Sequence, residues 1–239
     1  MVQIDQGRAS LTEDVYGRLR AAILDGRYLP GQKLKIAELC AEVQGSLGAV
    51  REALSRLLAE GLAVSESYKG FHVAPVSPAD LIQLTHARIE VEKLCLASSL
   101  ANGDIAWEGQ LMALLHQLSR HRPLDDADAW SRLHTDFHEA LVSACDNAWL
   151  LRMHRMLHEQ SERYRKLGLA DLTRSDSRQA ERDTLSEHRE LAEAAIARDV
   201  ARVGVLITTH LQTTTDGLLM NPEPHGGGVE RAGAAGAGP

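Results

Sequence analysis

One short interval of strand-like alternation, between Gly61 and Pro75, interrupts an otherwise helical spacing of apolar residues. Upstream of it, Val15, Leu19, Ala22 and Ile23 recur at steps of three and four, with Thr12 placed to cap their helix. Gly26-Arg27-Tyr28-Leu29-Pro30-Gly31 breaks that pattern, and two further helices are expected at about 36–43 and 46–60. In the last of these, Val50, Ala53, Leu54, Leu57 and Leu58 form one apolar face, leaving Gly48, Arg51, Glu52 and Ser55 on the other. Leu62-Ala63-Val64 and Phe71-His72-Val73-Ala74 then read as a hairpin with its tip near Lys69-Gly70. Pro75 and Pro78 bracket a joint, beyond which helices are expected at about 79–101, 107–120, 126–145, 147–167, 175–197 and 199–219.

This order implies a mostly α chain of four parts. Residues 1–10 are polar and patternless and read as a flexible arm. Residues 11–76 have the layout of a winged helix-turn-helix, three helices plus a two-stranded wing. Residues 77–220 form an all-α antiparallel bundle, and 221–239, rich in Gly and Ala, are expected to be disordered. A winged helix-turn-helix enters the major groove with the N-terminal end of its third helix. Small residues at Ser46, Gly48 and Ala49 allow that end to approach phosphates, with Leu47 among them, and Arg51 stands one turn in. Lys69 and Gly70 at the wing tip are the other candidate contacts with double-stranded DNA.

Charge neither demands nor forbids such a partner. The whole chain carries −7, from 26 Lys+Arg against 33 Asp+Glu; residues 1–76 hold nine of each, so the acidity lies in the remainder. No apolar stretch approaches a bilayer span, and the three scattered cysteines suit core positions in a reducing compartment. A cytoplasmic protein without membrane contact is the expectation.

The run LRAAILDGRYLPGQKLKIAELCAEVQGSLGAVREALSRLLAEGLAV, residues 19–64, resembles the DNA-binding domain of the GntR family of bacterial transcription regulators. The resemblance rests on Leu29-Pro30-Gly31, on Val50-Arg51-Glu52-Ala53-Leu54, and on Leu57 with Glu60-Gly61-Leu62. It implies that Arg51 contacts DNA, helped by the turn before it and the wing. Leu47 and Ala37 stand where relatives often carry arginines, so the operator is expected to differ from theirs.

Residues 79–219 resemble the FCD type of effector domain found in the FadR subfamily. Arg88 with Glu92, Phe137-His138, Glu187-His188-Arg189 and Thr209-His210-Leu211 carry that likeness. It implies a divalent metal held by residues one helical turn apart plus two later histidines. Here His134, four before His138, takes a place usually held by an oxygen ligand, and Asp136 is turned away from that face. Spacing supports the same set. His134 and His138 stack one turn apart. His188 and His210 each lie eleven residues, about 16 Å, from a helix junction near residue 199, so an antiparallel hairpin levels them.

Four imidazoles, His134, His138, His188 and His210, suit Zn²⁺ or Ni²⁺ better than a hard ion such as Mn²⁺. Arg88 is expected either to grip the carboxylate of a small organic acid effector or to bridge Glu92 on the helix surface. His154 and His158 share the four-residue spacing, but no partner for them is evident. The expected activity is that of a homodimeric transcription repressor on a two-fold symmetric operator. The alternatives are a regulator with a metal-free acyl or apolar ligand, and a metalloenzyme. The chain has no His-Glu-x-x-His motif, since Ala140-Leu141-Val142 follows His138-Glu139.

Overall fold

A computed structural model describes residues 3–121, 125–172 and 183–220. The chain divides between Pro75 and Val76 into two compact units.

The first unit contains α1 (Gln3–Leu24), β1 (Lys33–Leu34), α2 (Ile36–Glu42), α3 (Leu47–Ala59), β2 (Ala63–Glu66) and β3 (Gly70–Val73). Its core is the meeting of two apolar faces, Val15, Leu19 and Ile23 of α1 with Val50, Ala53, Leu54 and Leu57 of α3. Ser46 starts α3 by accepting a hydrogen bond from the Ala49 backbone N–H at 3.2 Å. The sheet is antiparallel with the order β1-β3-β2. It has three strands where the alternation predicts two. β1 pairs Lys33 with His72 and Leu34 with Phe71, and is too short for its own sequence to show a period of two. Gly31, at φ +75°, makes the turn into it and donates to the Val73 carbonyl at 3.0 Å.

α1 also starts earlier than expected, at Gln3, so Thr12 lies inside the helix and residues 3–10 are helical. Apolar spacing marks the part of a helix that buries a face, and here the backbone continues upstream of it through a proline-free run.

The second unit contains α4 (Pro78–Asn102), α5 (Ile105–Leu118), α6 (Ala127–Val142), α7 (Ala148–Leu172), α8 (Thr184–Ile196) and α9 (Val200–Leu219), with no strand among the described residues. Side-chain caps set most of the starts: Ser77, Asp104, Asp126, Asp183 and Asp199 each accept a backbone N–H of the first turn. Gly103 caps the end of α4, and the Trp107 ring leaves no room for a side chain there, lying 2.4 Å from where a Cβ would stand. α8 begins at Thr184; the expected start at 175 and the tail from 221 fall outside the described residues. α4 packs against α6, α7 and α9, and α8 against α9. α6 and α7 run antiparallel, bringing Ser131 to Arg165, His134 to Glu162 and His138 to His158. The apolar part of the core includes Cys95, Leu96, Leu111, Phe137, Leu141, Leu191 and Ile207.

All three cysteines are free. Cys95 and Cys145 are buried, whereas Cys40 is partly exposed. Burial, reinforced by the neighbouring Cys145 thiol, pushes the Cys95 thiol up to about 12. A thiol-specific reagent should therefore modify Cys40 well before the other two in native protein. Three equal rates in a time-resolved mass measurement would contradict this packing.

Candidate metal centre and nucleic-acid interface

The inward face of α6 carries Trp130, His134, Phe137, His138 and Leu141, all buried. His134 and His138 thus share a face one turn apart, and α8 and α9 bring His188 and His210 to meet them. The four rings are 0–5% exposed, and one nitrogen of each lies within 4.8 Å of the others. Ring centroids are separated by 4.6 Å (His134–His138), 4.8 Å (His188–His210) and 5.1 Å (His138–His210). Asp136 is exposed, as its position two residues from His138 requires.

Each ring has an oxygen beside its Nδ1. His188 Nδ1 donates to the Thr184 carbonyl at 2.6 Å, and His210 Nδ1 to Glu187 Oε2 at 2.7 Å. His138 Nδ1 lies 3.5 Å from Glu92 Oε1, and His134 Nδ1 3.7 Å from Glu162 Oε1. A proton held on Nδ1 leaves the Nε2 lone pair to a ligand. The two nitrogens His138 Nε2 and His188 Nε2 face each other at 3.3 Å. A ring proton on one of the two nitrogens, or a cation between two lone pairs, accounts for that separation. Nitrogens each about 2.1 Å from one ion, at tetrahedral to right angles, lie about 3.0–3.4 Å apart.

Burial holds two of these imidazoles, His134 and His138, neutral: His138 is lowered to about 4 despite Glu92 beside it. His134 is depressed well below the ordinary range by burial and the neighbouring His138. Neutral, buried, nitrogen-only donors fit a borderline divalent ion.

Around this quartet lies a shell of buried polar side chains that the sequence reading missed. His154 and His158 do have partners. Both are buried on α7, His154 Nε2 being 3.8 Å from Glu92 Oε1 and His158 Nδ1 2.9 Å from Arg88 Nη2. Arg88 bridges Glu92 at 3.0 Å, but inside the bundle, with both side chains nearly inaccessible, rather than on a helix surface. Burial alone would push the Glu92 carboxyl up; Arg88, His138 and His154 outweigh it and hold Glu92 well below the usual range. Glu162, likewise buried, is brought down to about 2 by Arg165, whose Nη2 also reaches Ser131 Oγ at 2.7 Å. The available signal was an inverted helix. Polar residues at 154, 158, 161, 162 and 165 recur on one face of α7, and Trp149, Met153 and Met156 are exposed beside Arg152 and Arg155 on the other. His72 is partly buried in the first unit, His86, His116 and His121 are exposed, and His225 lies outside the described residues.

At the start of α3, Ser46, Leu47, Gly48 and Arg51 are exposed, while the Ala49 side chain turns into the core. The Arg51 guanidinium has no hydrogen bond or ion pair among the described residues. Lys69 pairs with Glu66 at 2.7 Å on the wing, and Gly70, at φ +87°, follows it.

A winged helix-turn-helix joined to an all-α ligand-type bundle defines a class: DNA-binding transcription regulators rather than enzymes. Residues 11–73 match the bacterial regulatory proteins of the gntR family, and residues 83–213 match the FCD domain. The chain belongs to the GntR family, in its FadR-type arrangement with an FCD domain. It is 38% identical over 211 residues to an uncharacterised HTH-type transcriptional regulator, BphR, of Paraburkholderia xenovorans LB400, covering 86% of this chain and 84% of that protein. It is 33% identical over 204 residues to the HTH-type transcriptional repressor GlaR of Escherichia coli K12, covering 84% and 92%. The solved structure of E. coli McbR/YncC has the same fold, with a TM-score of 0.73 at 22% identity over 88% of this chain and 97% of that one. No helix among the described residues is long and apolar enough to cross a membrane.

Replacing Arg88 alone by Met leaves Glu92 buried and unpaired, which should cost about 3–5 kcal/mol in denaturant unfolding of the second unit. Arg88→Met with Glu92→Leu should recover much of that loss. A single variant as stable as the wild type would refute the burial described.

Proposed function

We propose that this regulator is a repressor whose hold on DNA is controlled by a small organic acid bound at a divalent metal in the bundle. The observation carrying this reading is the quartet His134, His138, His188 and His210, each Nδ1 backed by an oxygen. An all-imidazole set favours Zn²⁺ or Ni²⁺. When bound, such an ion supplies a positive centre on which a carboxylate can be held. The protein's residues do the rest: Glu92, Glu162, Glu187 and the Thr184 carbonyl orient the rings, and Arg88 ties the surrounding polar side chains together through Glu92, Ser161 and His158.

On the DNA side, residues 11–76 act as the reading head. The N-terminus of α3 offers backbone N–H groups at Leu47 and Gly48, that of Ala49 being capped by Ser46, and Arg51 supplies the unengaged guanidinium for a guanine edge or a phosphate. Lys69 and Gly70 extend the contact along the backbone of the duplex. Residues 77–220 serve as the effector and dimerisation domain. Leu94, Val200 and Val205, respectively 57%, 50% and 67% exposed, give α4 and α9 an apolar face that a second copy would cover. A homodimer matches a two-fold symmetric operator. The effector can shift operator affinity only by as much as it prefers one arrangement of that dimer.

Protein purified without a histidine tag should contain about one divalent transition metal per chain by elemental analysis. His138→Ala and His188→Ala should lose it. A metal-free wild type that also fails to take up added Zn²⁺ or Ni²⁺ would overturn the site. Arg51→Ala, folded by circular dichroism, should weaken binding to an operator selected from random duplexes by about 1–3 kcal/mol in fluorescence anisotropy. Unchanged affinity would remove Arg51 from the interface.

A further inference from the structure

Few side-chain groups on the outward face of α3 are free to read a base. Ser46 Oγ already accepts the Ala49 N–H at 3.2 Å, Gly48 has no side chain, and the Ala49 and Val50 side chains are in the core. Farther along, Ser55 Oγ donates to the Arg51 carbonyl at 3.0 Å, and Arg56 is held by Glu13 at 2.7 Å. Left on the N-terminal half of that face are Leu47, Arg51 and Glu52, all exposed. Leu47 is the first residue of the helix, is 52% exposed, and is the one side chain that projects outward from the first turn. Leu29 and Tyr68 are the other large apolar side chains exposed in the described part of the first unit, and neither lies on α3.

A leucine at that place has one kind of favourable contact in a major groove. It neither donates nor accepts, so a guanine, adenine or cytosine edge pressed against it loses water without gaining a partner. Thymine is the base that presents an apolar group there, its 5-methyl. Leu47 and Arg51 are four residues apart and share one face of α3, so a duplex that Arg51 reaches also meets Leu47. Where an exposed polar side chain would read hydrogen-bonding edges, the first turn of this helix can only sort bases by whether they carry that methyl.

We propose that Leu47 is a specificity-determining residue that packs on the 5-methyl group of a thymine in the major groove. Selection works in both directions: the methyl gains an apolar neighbour, and other base edges at that position are left desolvated. This rests on the DNA reading above and adds to it the base, and the atom of that base, which the first turn of α3 selects.

The experiment uses full-length protein and an operator selected from random duplexes. Each thymine of a half-site is replaced in turn by deoxyuridine, which removes the methyl and keeps the base pair, and affinity is read by fluorescence anisotropy. At one position the replacement should weaken wild-type binding about fourfold for each half-site, as expected for one buried methyl. Leu47→Ala, folded by circular dichroism, should bind the thymine and deoxyuridine operators equally there while keeping wild-type discrimination at the other positions. Low salt strengthens the phosphate contacts and keeps a weakened variant measurable. A wild type that selects no sequence would remove the DNA reading and this assignment with it. A selected operator on which no deoxyuridine replacement matters, a methyl effect that survives in Leu47→Ala, or a variant that loses discrimination at every position would overturn the role of Leu47 alone.

Discussion

Placing six imidazoles, two carboxylates and two guanidiniums in the middle of a helical bundle is tolerable only where most of these groups face an opposite charge or a hydrogen-bond partner. In the second unit this constraint is met by register. α6 and α7 run antiparallel so that Ser131 meets Arg165, His134 meets Glu162, and His138 meets His158, while Arg88 and Glu92 close the set from α4. A slip of either helix by one residue would turn these groups onto different faces and separate both buried ion pairs from the rings they support. The polar interior thus specifies the helix alignment, with Phe137, Leu141, Leu191 and Ile207 supplying apolar packing beside it.

Much of this was readable from the residues. The three-helix head and its hairpin followed from spacing alone, because each element there buries one face and exposes the other. The quartet followed from the resemblance to FCD domains together with His134 and His138 at one turn's spacing and the level placement of His188 and His210 about the junction near Asp199. Two kinds of feature were not readable. β1 has two residues, too few for any period, and exists because Phe71 and His72 offer it a partner. The α7 stripe was hidden by an assumption that usually holds, that the polar side of an amphipathic helix faces water. His154, His158, Glu162 and Arg165 invert it because their neighbours from α4 and α6 are themselves polar, which is a fact about tertiary contacts and not about α7.

The same logic divides the two candidate sites. At α3 the candidate DNA contacts lie outside the core, so Arg51 can be exchanged with little effect on folding. In the bundle, the candidate site and the fold share the same atoms. Exchanging Arg88, Glu92 or Arg165 alters the polar interior and the packing together.

The four supporting oxygens around the quartet are not equivalent in origin. Glu92, Glu162 and Glu187 are side chains, open to substitution, whereas His188 leans on the main-chain carbonyl of Thr184. Over evolutionary time three of the imidazoles can therefore be made more or less basic by single codon changes. The fourth cannot be adjusted in that way: as long as α8 begins where Asp183 caps it, His188 keeps its acceptor whatever residue stands at 184. It is the invariant reference point about which the other three can be retuned.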